Sequence, residues 1–289
     1  MRTISVDVAV RGRARVAEGP GWDVETGTLY WVDILAGTLD TVDSATGERQ
    51  TRRFPTLIGA AVPTTAGGFA VACAEGFAEI APDGRLLDRR HILPAGHRMN
   101  DAKCDSRGRL WAGSTETRFA PGEGALHVLG PGWQSEVVLT GMTLPNGLGW
   151  SPDDRTFYLV DTITRELSAF DFDVADGSIS GRRVIFELPA GDGIPDGIAV
   201  DADGDLWVAV WDGARLIRLS PGGDVKDEIP MPTARPSSCA FGGPNLDVLY
   251  VTTARDGLRC SDRDVAGSIL SVTGLGVTGV PSSRYVAEV

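Results

Sequence analysis

Glu18, Asn100, Asn146 and Asp196 occupy one register of a repeat that runs the length of this chain. Each stands ten or eleven positions before a strand-like apolar core: Leu29-Tyr30-Trp31, Leu110-Trp111, Phe157-Tyr158 and Leu206-Trp207. A repeat that closes into a ring brings its equivalent positions together in space. Two carboxylates and two carboxamides converging on one point form a hard, oxygen-rich pocket with two negative charges, which suits one divalent cation.

The elements that must hold these residues are legible in the repeat itself. Its copies cover residues 19–32, 101–113, 146–160, 196–209 and 239–252, with a weaker copy at 60–72. Anchors at Leu29, Phe69, Leu110, Phe157, Leu206 and Leu249 are spaced 40, 41, 47, 49 and 43 residues apart. Each copy reads as a strand, a polar turn and a second strand, which is hairpin grammar. Two further strands follow, as at Thr38–Asp43 and Arg49–Phe54. Four strands in each of six such periods predict an all-β fold: a six-bladed β-propeller with four-stranded antiparallel blades, as one domain over residues 1–289. No segment reads as a long amphipathic helix. Ile4–Val10 precedes the first full copy and is expected to join the last blade beside Gly267–Val272, closing the ring and covering an open edge.

In a propeller the innermost strand of every blade starts from the same face, so equivalent starting positions ring one mouth of the axial channel. The corresponding stretches of blades two and six, Leu57-Ile58-Gly59 and Ser237-Ser238-Cys239, carry no strong ligand, so the polar set is not a rule of the repeat. Asn146 and Asp196 each follow a proline and precede a glycine. The proline stiffens the approach, and the glycine is expected to let the backbone come close to a ligand. Asn or Asp before Gly is also a common turn residue bonded to its own backbone, and the matching register in four blades is what favours ligands. Arg98, in Arg98-Met99-Asn100-Asp101, either forks its donors onto a substrate carbonyl or hydroxyl or forms an ion pair with Asp101 or Glu116. Asp101 is expected to satisfy backbone amides.

Glu18-Gly19-Pro20-x-Trp22, Arg98-x-Asn100-Asp101, Pro145-Asn146-Gly147 and Pro195-Asp196-Gly197-x-x-x-Asp201 together resemble a known motif set. It is that of the regucalcin (senescence marker protein)/gluconolactonase family of six-bladed propellers, and the resemblance extends over essentially the whole chain. It implies a divalent metal bound by Glu18, Asn146 and Asp196, with Arg98 and Asn100 contacting substrate or a metal-bound water. Calcium is the ion expected here; zinc, manganese, magnesium and ferrous iron also occur in the family. The implied activity is hydrolysis of a sugar lactone, such as gluconolactone or a pentonolactone, to the aldonic acid. The metal then acts as a Lewis acid, and Asp196 is the ligand that also orients or deprotonates the attacking water. The chain departs from the pattern at a substrate-binding glutamate: in Gly113-Ser114-Thr115-Glu116-Thr117-Arg118 the candidate, Glu116, sits about two places early, which leaves the preferred sugar open.

Composition bounds the partners. A net charge of −12 repels nucleic-acid backbones and anionic lipid, so neither is an expected partner. The first residues lack an apolar signal core and no long apolar run occurs, so a cytoplasmic location is expected, as a monomer or weak homo-oligomer. Cys73, Cys104, Cys239 and Cys260 are widely spread and read as free thiols, most of them buried. The three histidines, His91, His97 and His127, show no ligand spacing. A formal Gly-x-Gly-x-x-Gly at 274–279 leads into Val280-Pro281 rather than a helix and fails as a dinucleotide site. Asp201-Ala202-Asp203-Gly204-Asp205 lacks the glycine and glutamate of a calcium loop and reads as a hairpin turn. The loop 118–124 is the candidate lid over the mouth. Two competing readings are a metal-dependent aryl-esterase or organophosphatase on the same propeller, and a non-catalytic scaffold with exposed aromatic or basic rim patches. A calcium buffer is a weaker third, with one site in 30.5 kDa.

Overall fold

The repeat folds as its apolar pattern dictates. The computed structural model describes residues 3–259, 261 and 264–287, with residues 88 and 89 described by their backbone alone. It contains six antiparallel sheets of four strands each. Numbered in chain order, β1 is Ser5–Val10, and blade one is β2 (Ala17–Asp23), β3 (Thr28–Asp33), β4 (Thr38–Asp43) and β5 (Arg49–Arg53). Blades two to five begin with inner strands β6 (Ile58–Pro63), β10 (His97–Cys104), β14 (Pro145–Trp150) and β18 (Ile194–Val200). Blade six consists of β22 (Pro236–Gly242), β23 (Val248–Thr253), β24 (Ile269–Thr273) and, as its outer strand, β1. The closure expected from the sequence is therefore present: Val6 pairs with Val272 and Val8 with Leu270.

Burial grades from the axis outwards. The inner strands are sandwiched between neighbouring blades and buried on both faces, whereas the outer strand Arg49–Arg53 is almost wholly exposed. A short continuous apolar run, rather than strict alternation, is the pattern such a doubly covered strand requires. Among the described residues the core divides into six clusters, each spanning two adjacent blades. Blades three and four, for example, meet through Trp111, Leu126, Leu148, Phe157 and Phe170. Consecutive inner strands touch all the way round, from β2 through β6, β10, β14 and β18 to β22 and back to β2. No helix among the described residues is long and apolar enough to cross a membrane.

The turns on the face opposite the strand starts are gripped by aspartates. The Asp201 carboxylate accepts from the amides of Asp203 (3.0 Å) and Asp205 (2.9 Å) and from Trp207 Nε1 (3.0 Å), so this run is a hairpin turn and not a calcium loop. Asp105 does the same for Arg107, Arg109 and Trp111. Cys73, Cys104 and Cys239 are buried, and Cys260 lies outside the described residues.

His127, on the strand Gly124–Leu129, is 4% exposed and sits 2.8 Å from Ser114 Oγ through Nε2. Burial lowers its pKa from 6.5 to about 4. The unfolded chain therefore takes up a proton below pH 6.5 that the folded chain refuses until about pH 4. Stability is expected to fall by up to about 3 kcal/mol across that window. Denaturant titrations at several pH values should show this fall in the wild type and not in His127→Gln; parallel curves would remove the assignment.

Candidate metal and catalytic centre at the axial mouth

Glu18, Asn100, Asn146 and Asp196 lie near the starts of β2, β10, β14 and β18, and each is 5% exposed. All four fall at breaks in pairing with the adjacent strand, between Glu18 and Gly21, Met99 and Ala102, Pro145 and Leu148, and Pro195 and Ile198. Such a bulge releases the residue from the ladder and re-aims its side chain. The result joins blades three, four and five, while Glu18 of blade one bonds its own backbone. Asn146 Nδ2 donates to Asp196 Oδ1 and to Thr162 Oγ1 (3.0 Å). Asn100 Nδ2 donates to the Pro145 carbonyl (3.1 Å), and Glu18 Oε2 accepts from the Gly19 amide (3.0 Å). The sequence reading missed Thr162; its signal is a polar residue directly after the Val160-Asp161 strand end.

Arg98 forms no ion pair with Asp101 or Glu116. Its Nη1 donates to Asn100 Oδ1 (2.7 Å) and to the Met99 carbonyl (3.0 Å). Burial lowers its pKa, and the carboxylates of Glu18 and Asp196 partly restore it, so its charge faces the pair without contacting either. Asp101 caps the Ala102 amide (2.8 Å), as expected, while its Oδ2 is buried without a partner. Glu116 is engaged elsewhere: its carboxylate accepts from Arg118 N (2.8 Å), Arg118 Nε (3.1 Å) and Ala120 N (3.3 Å), bonds that hold it ionised. It anchors the loop 118–124, which leaves the mouth face between Glu116 and the strand Gly124–Leu129. His97 pairs across β10 with Glu116, and its Nδ1 is buried without a partner.

The glycines after Asn146 and Asp196 have a packing role as well. A Cβ on Gly147 would lie 2.5 Å from the Asp196 carbonyl oxygen, and one on Gly197 would lie 2.0 Å from Ser238 Oγ. They let adjacent inner strands approach one another, and so set how tightly the ring closes around its axis.

A second layer fixes the approach to the mouth. Asp161 is buried at the end of the strand Thr156–Asp161 and accepts from the amides of Thr143 (2.8 Å) and Leu144 (2.9 Å), just ahead of Asn146. Asp33 repeats the device before Glu18, accepting from Arg15 N (2.8 Å) and Val16 N (3.1 Å). Asp161→Ala strands two buried donors and is expected to cost about 3 kcal/mol in urea denaturation, with Asp161→Asn recovering part of it. A loss under about 0.5 kcal/mol, the range of a neutral surface change, would refute this role.

The electrostatics fit a divalent cation. Burial first, then Asp196 and Asp101, raise the proton affinity of Glu18; burial first, then Asp101, raise that of Asp196. Glu18 Oε1, Asp196 Oδ2 and Asn146 Oδ1 accept no hydrogen bond among the described residues. Three open oxygens on and beside two buried carboxylates, which Arg98 offsets only across space, match the hard donor set that calcium, magnesium or manganese prefer. The set contains only two carboxylates and no imidazole or thiolate, and among the described residues no three His, Cys, Asp or Glu side chains gather as a metal cluster.

Fold and site define a closed six-bladed propeller with an oxygen-donor centre on its axis. Residues 16–255 match the family model described as the SMP-30/gluconolactonase/LRE-like region, and the chain belongs to that family. Regucalcin of Danio rerio is 33% identical over 99% of each chain, and regucalcin of Homo sapiens 32% identical over 99% of each. Among solved structures, a luciferin-regenerating enzyme superposes with a TM-score of 0.91 at 31% identity, covering 98% of this chain and 100% of that one. A regucalcin of Agrobacterium tumefaciens, described as a calcium-binding protein, gives 0.87 at 25% identity, covering 96% and 97%.

Proposed function

We propose that this protein hydrolyses a sugar lactone, such as gluconolactone or a pentonolactone, to the aldonic acid. One divalent cation, calcium foremost, would be held by Glu18, Asn146 and Asp196. The observation that carries this reading is the pair of buried, electrostatically coupled carboxylates with open oxygens and no ion pair among the described residues, Arg98 acting on both only across space. Family membership supports the reaction class, and the calcium-binding description of the Agrobacterium relative supports the ion.

When bound, the cation supplies Lewis-acid polarisation of the lactone carbonyl. Asp196 orients the attacking water and takes its proton; a carboxylate whose proton affinity is raised by burial suits that task. Water adds to the carbonyl carbon, the ring C–O bond breaks, and the proton held at Asp196 passes to the departing ring oxygen. Glu18 brings the charge of the donor set to −2, and Asn146 adds an oxygen without a further charge. Arg98, fixed through Nη1, retains N–H donors for the substrate's carbonyl or hydroxyls, and Asn100 holds Arg98 in place. Glu116 acts through the loop it anchors.

The deciding experiment assays an aldonolactone panel with metal-stripped protein restored with Ca²⁺, Mn²⁺, Zn²⁺, Mg²⁺ or Fe²⁺. Metal-restored hydrolysis is the expected result. Folded protein inactive on every lactone with every metal would overturn it, and activity on aryl esters under the same conditions would replace it.

A further inference from the structure

Further along the axial channel lie groups that the proposed reaction does not use. Lys103 follows Asp101 by two positions on β10, is half-buried, and donates from Nζ to the Ile198 carbonyl. Among the described residues it makes no ion pair, in a chain of net charge −12. It lines a cavity of about 270 Å³ at the opposite end of the channel from the mouth, which neither Glu18, Asn100, Asn146 nor Asp196 touches.

Tyr30 lines the same cavity. It is 4% exposed, and its hydroxyl has no hydrogen-bond partner among the described residues. Space for that hydroxyl is built in, because a Cβ on Gly21 would lie 2.1 Å from Tyr30 Oη. Trp150 and Phe241 contribute apolar wall, and Asp154, half-buried on the turn after β14, stands among the lining residues.

The segment 280–283 forms part of the same lining. On one side it is fastened by Gly279, which donates to the Leu246 carbonyl (2.8 Å) and bridges to Asp201. On the other it is fastened by Arg284, paired with Asp23 (2.6 and 2.7 Å), and by Tyr285, which donates to the Pro63 carbonyl (2.9 Å) and from Oη to the Gly130 carbonyl (2.7 Å). Between these anchors the strap makes no backbone hydrogen bond among the described residues.

We propose that this cavity is a binding site for a small organic monocarboxylate with a compact apolar body, its carboxylate taken by the Lys103 ammonium and the Tyr30 hydroxyl. Lys103 is donor-only and Tyr30 offers an unused O–H, so the pair calls for an acceptor-rich partner. The ammonium acts on the buried Asp101 carboxyl only across space and makes no contact ion pair among the described residues, so a ligand carboxylate at hydrogen-bond distance would add a charge-assisted bond that no side chain of the cavity supplies. Asp154 opposes a second negative charge and selects monoanions. The volume lies just under the usual range for small-molecule pockets, about 300–1,000 Å³. The strap 280–283, hinged between its two anchors, is the door. The inference is independent of the lactonase reading.

Calorimetric titration with benzoate, benzamide and gluconate, with and without EDTA, tests it. Benzoate should bind one to one and unchanged by EDTA. Benzamide lacks the charge and gluconate carries a polyol against apolar walls, and each should bind at least about tenfold more weakly. Lys103→Met should weaken benzoate about tenfold and Tyr30→Phe about threefold, the second variant keeping the test open if the first misfolds. No benzoate binding at about 20 mM, which corresponds to a free energy weaker than about −2.3 kcal/mol, overturns the proposal. So does binding that ignores both substitutions, or that disappears with EDTA, since the last places the anion at the axial mouth.

Discussion

Asp196→Asn is expected to reduce metal-restored lactone hydrolysis by on the order of a hundredfold or more, while making the metal-free protein more stable. Both effects have one cause. Asparagine keeps the shape and the oxygen that accepts from Asn146 Nδ2, but it removes a ligand charge and the proton acceptor. It also removes one of two carboxylates that are buried together and raise the proton affinity of Glu18. The gain is expected to be roughly 1–2 kcal/mol, at about 2–4 °C of unfolding midpoint per kcal/mol.

The pH dependence carries the same signature. A carboxyl group whose pKa is raised by folding binds protons more readily in the folded chain. Stability from Glu18 and Asp196 is therefore full at or below the ordinary carboxylate values of 4.5 and 3.8 and is lost as pH rises towards the raised values. Metal-free wild type should gain stability on the variant as pH falls from neutrality, and the His127 contribution cancels in that comparison. Thermal unfolding in EDTA from pH 7 to 5, beside the lactonase assay, measures both. A variant that is less stable at every pH, or that keeps its activity within about threefold of wild type, a difference of only about 0.7 kcal/mol, would sink the account.

Deleting residues 1–10 is expected to destabilise the propeller by roughly 5 kcal/mol and to promote self-association. The segment supplies the whole outer strand of blade six. Val6 and Val8 pack on the cluster shared by blades five and six, and Val10 on the one shared by blades six and one. Beyond the strand, the Gly12 amide bonds Ser268 Oγ (3.1 Å) and the Ala14 amide the Gly267 carbonyl (3.0 Å), which the deletion leaves without their lead-in. Removing β1 exposes the hydrogen-bonding edge of β24 at the point where the ring is joined by strands from the two ends of the chain. Calorimetry and sedimentation velocity on the shortened chain provide the check; an unchanged midpoint in a monomer would show that β1 is dispensable.

The two predictions differ in how far the sequence reaches towards them. The period of the anchors from Leu29 to Leu249 determined the blade number, because hydrophobic period and turn chemistry are local properties. The placing of Glu18, Asn100, Asn146 and Asp196 at one mouth followed from equal register alone, since a closed ring maps equal register onto equal height. Even the pairing of β1 with β24 was legible, because a chain closing into a ring must cover its last edge. Tertiary structure decided the rest. Gly147 and Gly197 follow Asn146 and Asp196 in sequence, yet they meet the backbone of Asp196 and the side chain of Ser238, each about one blade further on. Arg98 chose Asn100 over Asp101 or Glu116 because the bulge in β10 turns the Asn100 amide towards it and leaves Glu116 to the loop 118–124. Lys103 and Tyr30 share a cavity although more than one blade separates them along the chain. Distances of this kind are set by how closely neighbouring inner strands pack around the axis, and no local pattern in the chain encodes that spacing.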